Sequence, residues 1–144
     1  MTMDLFDVLV RYEIALWNAV DQELARQKLI SLAHLHALRV VDRYHGRARV
    51  QEVSDDIGIT VGAASKLVDR LERAGLAVRS PNPDNRRSSL VGLTADGQRA
   101  LADALQVCRS FVARILGDED VEALTATLRR LQSRVDAQPV GTAA

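Results

Sequence analysis

Apolar residues recur at intervals of three and four at Leu5, Leu9, Tyr12, Leu16, Val20 and Leu24, which predicts a first helix over about 5–25. Gln27 to Ser31 reads as a short connection, with Ser31 as N-cap of a second helix from Leu32 to about Tyr44. The apolar stripe of that helix is Leu35, Leu38 and Val41, with Leu32 at its edge, and His45-Gly46 ends it with glycine in the left-handed position. Arg47-Ala48-Arg49 is expected to add a short strand. Gln51 to Ile57 is barely two turns and must pack on something to persist. Gly58 allows a sharp reversal, and Thr60 caps the next helix, whose stripe is Val61, Ala64, Val68 and Leu71, widened by Leu67 and stopped by Gly75. Helix, glycine turn and helix at this spacing form a helix-turn-helix unit, although any helical hairpin shares the pattern.

The segment after Gly75 separates the two readings. Leu76 and Val78 alternate with Ala77 and Arg79, Pro81 to Asn85 has loop chemistry, and Val91 and Leu93 share a face after Arg86-Arg87-Ser88. A β-hairpin directly after the second helix makes the unit a winged helix. Thr94 then caps a long helix from Ala95 to about Leu116, with a heptad-like seam of Leu101, Leu105, Cys108, Val112 and Ile115. Gly117-Asp118 breaks it, with Asp118 expected as the next N-cap, and a last helix carries Val121, Leu124, Leu128, Leu131 and Val135. The expected fold is mainly α with a small β-hairpin wing: a winged helix-turn-helix at 32–94, helical dimerisation segments at 1–31 and 95–137, and a flexible tail at 138–144. The outer helices carry more apolar stripe than the centre can cover, and a second copy of the chain is the simplest partner.

Composition refines this picture. Only 3% of residues are aromatic, so the 47% hydrophobic content is mostly Leu, Val and Ala, which suits helices. No apolar run reaches membrane-spanning length, and the N-terminus lacks the basic-then-apolar order of a signal peptide, which points to the cytoplasm. One cysteine excludes an internal disulfide and any multi-cysteine metal site. Net charge is zero, which argues against a nucleic-acid binder. The distribution answers part of that objection: Arg39 to Arg99 holds eleven Lys and Arg against eight Asp and Glu, a surplus of three that the flanks cancel.

A helix beside a basic hairpin is a shape that reads duplex DNA, the helix in the major groove and the hairpin tip in the minor groove. Thr60 and Ser65 suit phosphate contacts at a helix N-terminus. Lys66 suits a base or phosphate contact, and Arg70 a phosphate contact or an ion pair with a nearby acid. Asp69 and Arg73 share this polar face, whose bland reading is a solvated helix surface. Val61, Gly62 and Ala63 can touch thymine methyl groups but donate no side-chain hydrogen bonds. Arg86 and Arg87 suit a narrow A/T minor groove; otherwise they are solubilising loop charges.

The run Leu67-Val68-Asp69-Arg70-Leu71-Glu72-Arg73-Ala74-Gly75-Leu76, then Pro83-Asp84-Asn85-Arg86-Arg87, then Leu90-Val91-Gly92-Leu93-Thr94-Ala95-Asp96-Gly97 resembles the MarR family of bacterial transcription regulators. The resemblance covers essentially the whole chain. It implies a cytoplasmic homodimer on a palindromic double-stranded DNA operator, usually as a repressor. It also implies frequent release by a small phenolic or lipophilic ligand or by thiol oxidation. Family members commonly carry Asp, any residue, Arg at the wing tip; counted back from Thr94, this chain has Asn85 and Arg87 there, while Asp84 and Arg86 repeat the spacing one residue earlier. Both arginines therefore stay candidates for the minor groove. Two reading heads one helical turn apart would require an inverted repeat of roughly 16–20 base pairs.

Cys108 lies in the apolar seam and is read as a buried, inert thiol rather than a sensor. His34 and His36 fall on different sides of a helix and His45 lies beyond it, so no zinc site is expected, nor any cofactor. Trp17, Tyr12 and Phe111 are read as core. A ligand pocket is expected where the outer helices meet the winged helix, lined by Trp17, His36 and Arg39, and a ligand there would alter the separation of the reading heads. No catalytic constellation is visible, and the chain is not read as an enzyme. The competing reading is a winged-helix protein-interaction module, favoured by the zero net charge and by the apolar Val61-Gly62-Ala63 surface.

Overall fold

Helices claim most of the chain because its Leu-, Ala- and Arg-rich segments repeat at helical spacing and are punctuated by glycines. A computed structural model of the protein describes residues 2–139; the part of the expected tail at 140–144 lies outside the described residues. The order is α1 (Thr2–Arg26), α2 (Leu32–Arg43), α3 (Val50–Ile57), α4 (Val61–Arg73), β1 (Ala77–Pro81), β2 (Ser89–Leu93), α5 (Ala95–Leu116) and α6 (Val121–Asp136). The chain divides into two compact units between Phe111 and Val112, inside α5.

In the first unit, Ser31 caps α2 by accepting the His34 N–H at 3.2 Å, and the Leu32 N–H donates to Asp21 on α1 at 2.8 Å. His45 (φ 50°) and Gly46 (φ 83°) both adopt left-handed conformations after α2. The turn they make limits the expected Arg47–Arg49 strand to a single bridge, in which Ala48 accepts the Val91 N–H at 2.7 Å. α3 is already under way at Val50, so only Ala48 pairs with the hairpin. It starts with Glu52 accepting the Arg49 N–H at 2.7 Å and ends at left-handed Gly58. The Ser54 hydroxyl, buried in the turn, donates to the Ile59 carbonyl at 2.6 Å.

α4 buries Ala64, Leu67, Val68 and Leu71. Val61, expected in the same stripe, is instead exposed at the helix start, one turn short of the packed face. The fully buried side chains include Leu24, Leu38, Val40, Val41, Val53, Val68, Leu71 and Val91, so α1 through α4 and β2 share one core. Burying each such side chain contributes on the order of 1.5–3 kcal/mol.

β1 and β2 pair antiparallel in the register Ala77 with Leu93, Arg79 with Val91 and Pro81 with Ser89. The structure corrects the expected Leu76/Val78 face. Leu76 sits in the turn before the strand, so the inward alternation starts at Ala77 and leaves Val78 exposed. Thr94 joins the wing to α5. Its N–H donates to the Leu76 carbonyl at 3.1 Å, its hydroxyl donates to the Gly75 carbonyl at 2.6 Å, and that same hydroxyl accepts the Gly97 N–H at 3.0 Å. A Cβ on Gly97 would lie 1.9 Å from the Leu76 carbonyl oxygen, so only glycine fits. The Thr94-Ala95-Asp96-Gly97 run is thus a packing device.

Along α5 burial fades from Leu101 to exposed Ile115. α6 is capped by Asp120, which accepts the Ala123 N–H at 3.0 Å, rather than by Asp118; a turn through Glu119 separates Gly117 from the helix. α6 buries none of its residues, and α1 leaves Leu5, Phe6, Leu9, Tyr12 and Trp17 exposed.

Candidate nucleic-acid interface

The N-terminus of α4 is open to solvent. Thr60 accepts the Ala63 N–H at 3.1 Å, and Thr60, Val61, Gly62 and Ala63 are all exposed. Ser65 is half-buried and Lys66 is exposed, one step further along the same helix. Arg70 is exposed and has no ion-pair partner among the described residues. It lies close enough to half-buried His34 on α2 to matter electrostatically: burial, with the Arg70 charge adding to it, lowers the His34 pKa. The helix therefore presents small and cationic groups outward while its leucines face the core.

The wing loop is built by two asparagines. Asn82 is buried; its side chain donates to the Ser88 hydroxyl at 2.9 Å and accepts the Asp84 N–H at 3.0 Å. Asn85 accepts the Arg87 N–H through its side chain at 3.0 Å, and its carbonyl accepts the Ser88 N–H at 3.2 Å. Asn85, expected as a DNA contact, thus has its side-chain oxygen engaged inside the loop. Asp84 faces Arg47 across an exposed gap of 3.8 Å. Arg86 and Arg87 are exposed, with no ion pair to either among the described residues. With Arg79, Ser80, Pro81, Ser88 and Ser89 they border an open hollow of about 460 Å³. Hydroxyls and guanidinium groups around an open hollow are suited to polyanion contact.

Helix and hairpin are joined by a residue that sequence reasoning passed over. Arg79 on β1 donates to Asp69 and to Glu72 on α4, each at 2.5 Å, and to the Ser65 carbonyl at 3.4 Å, while its own N–H donates to the second oxygen of Glu72 at 3.4 Å. Asp69, expected on the open polar face, is drawn into this clamp. The partners lie seven and ten residues away on a different element, so no pattern within one helix or strand announces them. Burial opposes the charge on Arg79, but the hydrogen bonds to both acids outweigh it and its pKa is raised.

The expected ligand-pocket residues are partly brought together. The rings of Trp17 and His36 approach with centroids 5.9 Å apart. His36 and Arg39 line one hollow of about 400 Å³ with Asp42, Arg43, Asp56 and Leu101, whereas Trp17 borders a separate, shallower depression beside Ile14. Burial, then Arg39 and Arg43, lowers the His36 pKa. Asp56 on α3 closes the far side, 3.6 Å from Arg43 and accepting the Tyr44 hydroxyl at 3.1 Å. Cys108, expected to be buried, is half-buried, and that partial burial raises its pKa despite nearby Arg39.

A capped reading helix packed on a short helix, followed by a basic two-stranded hairpin, defines a winged helix-turn-helix protein. Residues 30–89, which hold the winged core, match the model of the MarR family. The multiple antibiotic resistance protein MarR of Escherichia coli K12 is 33% identical over 75 residues, covering 52% of this chain and 49% of that protein. The chain thus spans about half the length of this curated relative. CouR from Rhodococcus jostii RHA1 bound to p-coumaroyl-CoA superposes with a TM-score of 0.82 at 23% identity, covering 94% of each chain. The repressor CouR bound to a 23-mer DNA duplex superposes at 0.77 with 26% identity, covering 87% of this chain and 89% of that one.

Proposed function

We propose that the protein is a homodimeric MarR-type transcriptional repressor that binds a palindromic operator. The observation that carries this reading is the solvent-open start of α4 standing beside an unpaired Arg86-Arg87 tip, two elements of one MarR-family core. Thr60 through Ala63 with Ser65 and Lys66 enter the major groove. Arg70 meets phosphate, Arg86 or Arg87 enters the flanking minor groove, and Asn85 shapes the tip. The structure of CouR on a DNA duplex supports this assignment. The exposed apolar faces of α1 and α6 support the assignment of segments 1–31 and 95–137 to dimerisation around a reading domain at 32–94. The test is fluorescence anisotropy on inverted repeats from the DNA flanking its own gene, across a salt series. Tight binding to one repeat, weakening steeply with salt, is expected; equal, salt-insensitive affinity for every duplex would overturn it.

The hollow beside His36 and Arg39, with Trp17 at its approach, is the place for a small phenolic or lipophilic effector, and the p-coumaroyl-CoA complex of CouR supports an effector of that kind. An effector that bound there and left operator affinity unchanged would remove it from the mechanism. A second reading, a protein-binding winged helix, draws on the exposed Val61 and Val78 and on the zero net charge. It replaces the first if no duplex binds.

A further inference from the structure

Arg79 occupies an unusual position. Its guanidinium spans the edge of α4 from the Ser65 carbonyl through Asp69 to Glu72, and its backbone N–H meets the same Glu72. One residue of β1 thus grips about two turns of the helix with four hydrogen bonds. Its side chain is only 24% exposed, against 42% for Asp69 and 34% for Glu72, so the pairing is better shielded than a surface ion pair. Arg79 lies directly across the hairpin from fully buried Val91, at the point where the wing leaves the core. Beyond it the hairpin has no anchor to α4 among the described residues: Ser80 and Pro81 are exposed, and the loop is held only by its own asparagines and the exposed Arg47–Asp84 pair. The direction of the tip is therefore set at Arg79.

We propose that Arg79 is a positioning residue for DNA recognition: by clamping β1 to Asp69 and Glu72 of the reading helix it fixes where the Arg86-Arg87 tip points. It acts through the tip and makes no DNA contact of its own. This rests on the DNA-binding reading above. A lysine at the same place has one ammonium in place of a planar fork and cannot hold both carboxylates and the Ser65 carbonyl in this arrangement.

The experiment is a double-mutant cycle read by anisotropy on the duplex that the wild type binds best. Arg79→Met is measured in the wild-type background and in a background with Arg86→Ala and Arg87→Ala. If Arg79 acts through the tip, Arg79→Met weakens binding about tenfold with the arginines present and less than about twofold without them, because coupled residues are not additive. Arg79→Lys should fall between Met and the wild type. The same factor in both backgrounds, or no effect in either, would overturn the proposal. If circular dichroism shows that Arg79→Met does not fold, the cycle is run with Arg79→Lys, for which a smaller loss that again disappears without Arg86 and Arg87 is expected, and an equal factor in both backgrounds overturns the proposal. A wild type that binds no duplex would overturn the DNA reading itself, whereas tight wild-type binding with an additive cycle would overturn only the role of Arg79.

Discussion

α4 and α6 have the same kind of sequence and different fates. Each sets leucines at three–four spacing against a charged face. α4 hides Leu67 and Leu71 at once in the core of its own unit. α6 hides nothing: Leu124, Leu128 and Leu131 remain 41%, 48% and 39% exposed. α1 repeats the lesson, with only Val20, Glu23 and Leu24 buried out of twenty-five residues. Amphipathic spacing states that a face needs cover, but it does not say whether the cover lies in the same chain. Where the core supplies it, the polar face is left free to read a ligand. Where none of the described residues does, a second copy is the economical answer.

The largest expected effect tests the uncovered face. Leu128→Glu should leave circular dichroism unchanged but abolish the dimer in sedimentation. It would lose about 3–6 kcal/mol per dimer, since each buried leucine contributes roughly 1.5–3 kcal/mol and the two-fold axis counts it twice. A variant that stays dimeric would show that α6 is covered by something else.

Next comes the closest packing in the covered region. Gly97→Ala drives a methyl group into the Leu76 carbonyl and should cost about 3 kcal/mol, the upper end of overpacking penalties, read as a lower urea midpoint. An unchanged midpoint would mean that the junction of wing and α5 yields easily.

The arginine tip follows. Arg86→Ala and Arg87→Ala, measured separately, should reveal which one enters the groove: that variant loses about 1–3 kcal/mol of operator affinity while the other changes little. Equal, negligible losses would remove the wing from recognition.

The smallest effect is electrostatic. His34 and His36 have pKa values lowered in the folded protein, by burial and by neighbouring arginines. The unfolded chain then binds more protons than the folded one as pH falls through the ordinary histidine range. Stability is full above that range and declines as pH drops through it toward the lowered folded values. Thermal midpoints at pH 7.5 and 5.5 should differ slightly less for His36→Gln than for the wild type; an identical difference would show that His36 carries none of the linkage.

Much of this was legible along the chain. Gly58, Thr60 and Gly75 mark the turn, cap and stop of the reading helix from their own backbone preferences. The wing was readable because Pro and Asn cluster between two short apolar alternations. Local rules failed where a choice depended on a neighbour. Asp120 instead of Asp118 caps α6 because the chain needs extra turn residues after Gly117. Val78 points outward because the inward alternation starts after Leu76, in a turn whose closure is made with Thr94 nearly twenty residues on.

By itself the sequence determined the helices, most of their ends and the cationic tip, since helix periodicity, capping and turn chemistry act within a few residues. Only the tertiary structure decided that Asp69 and Glu72 belong to Arg79, and that His36 and Arg39 share a hollow while Trp17 borders a separate depression. Those relations depend on residues of separate elements, and they exist only once packing has brought those elements together.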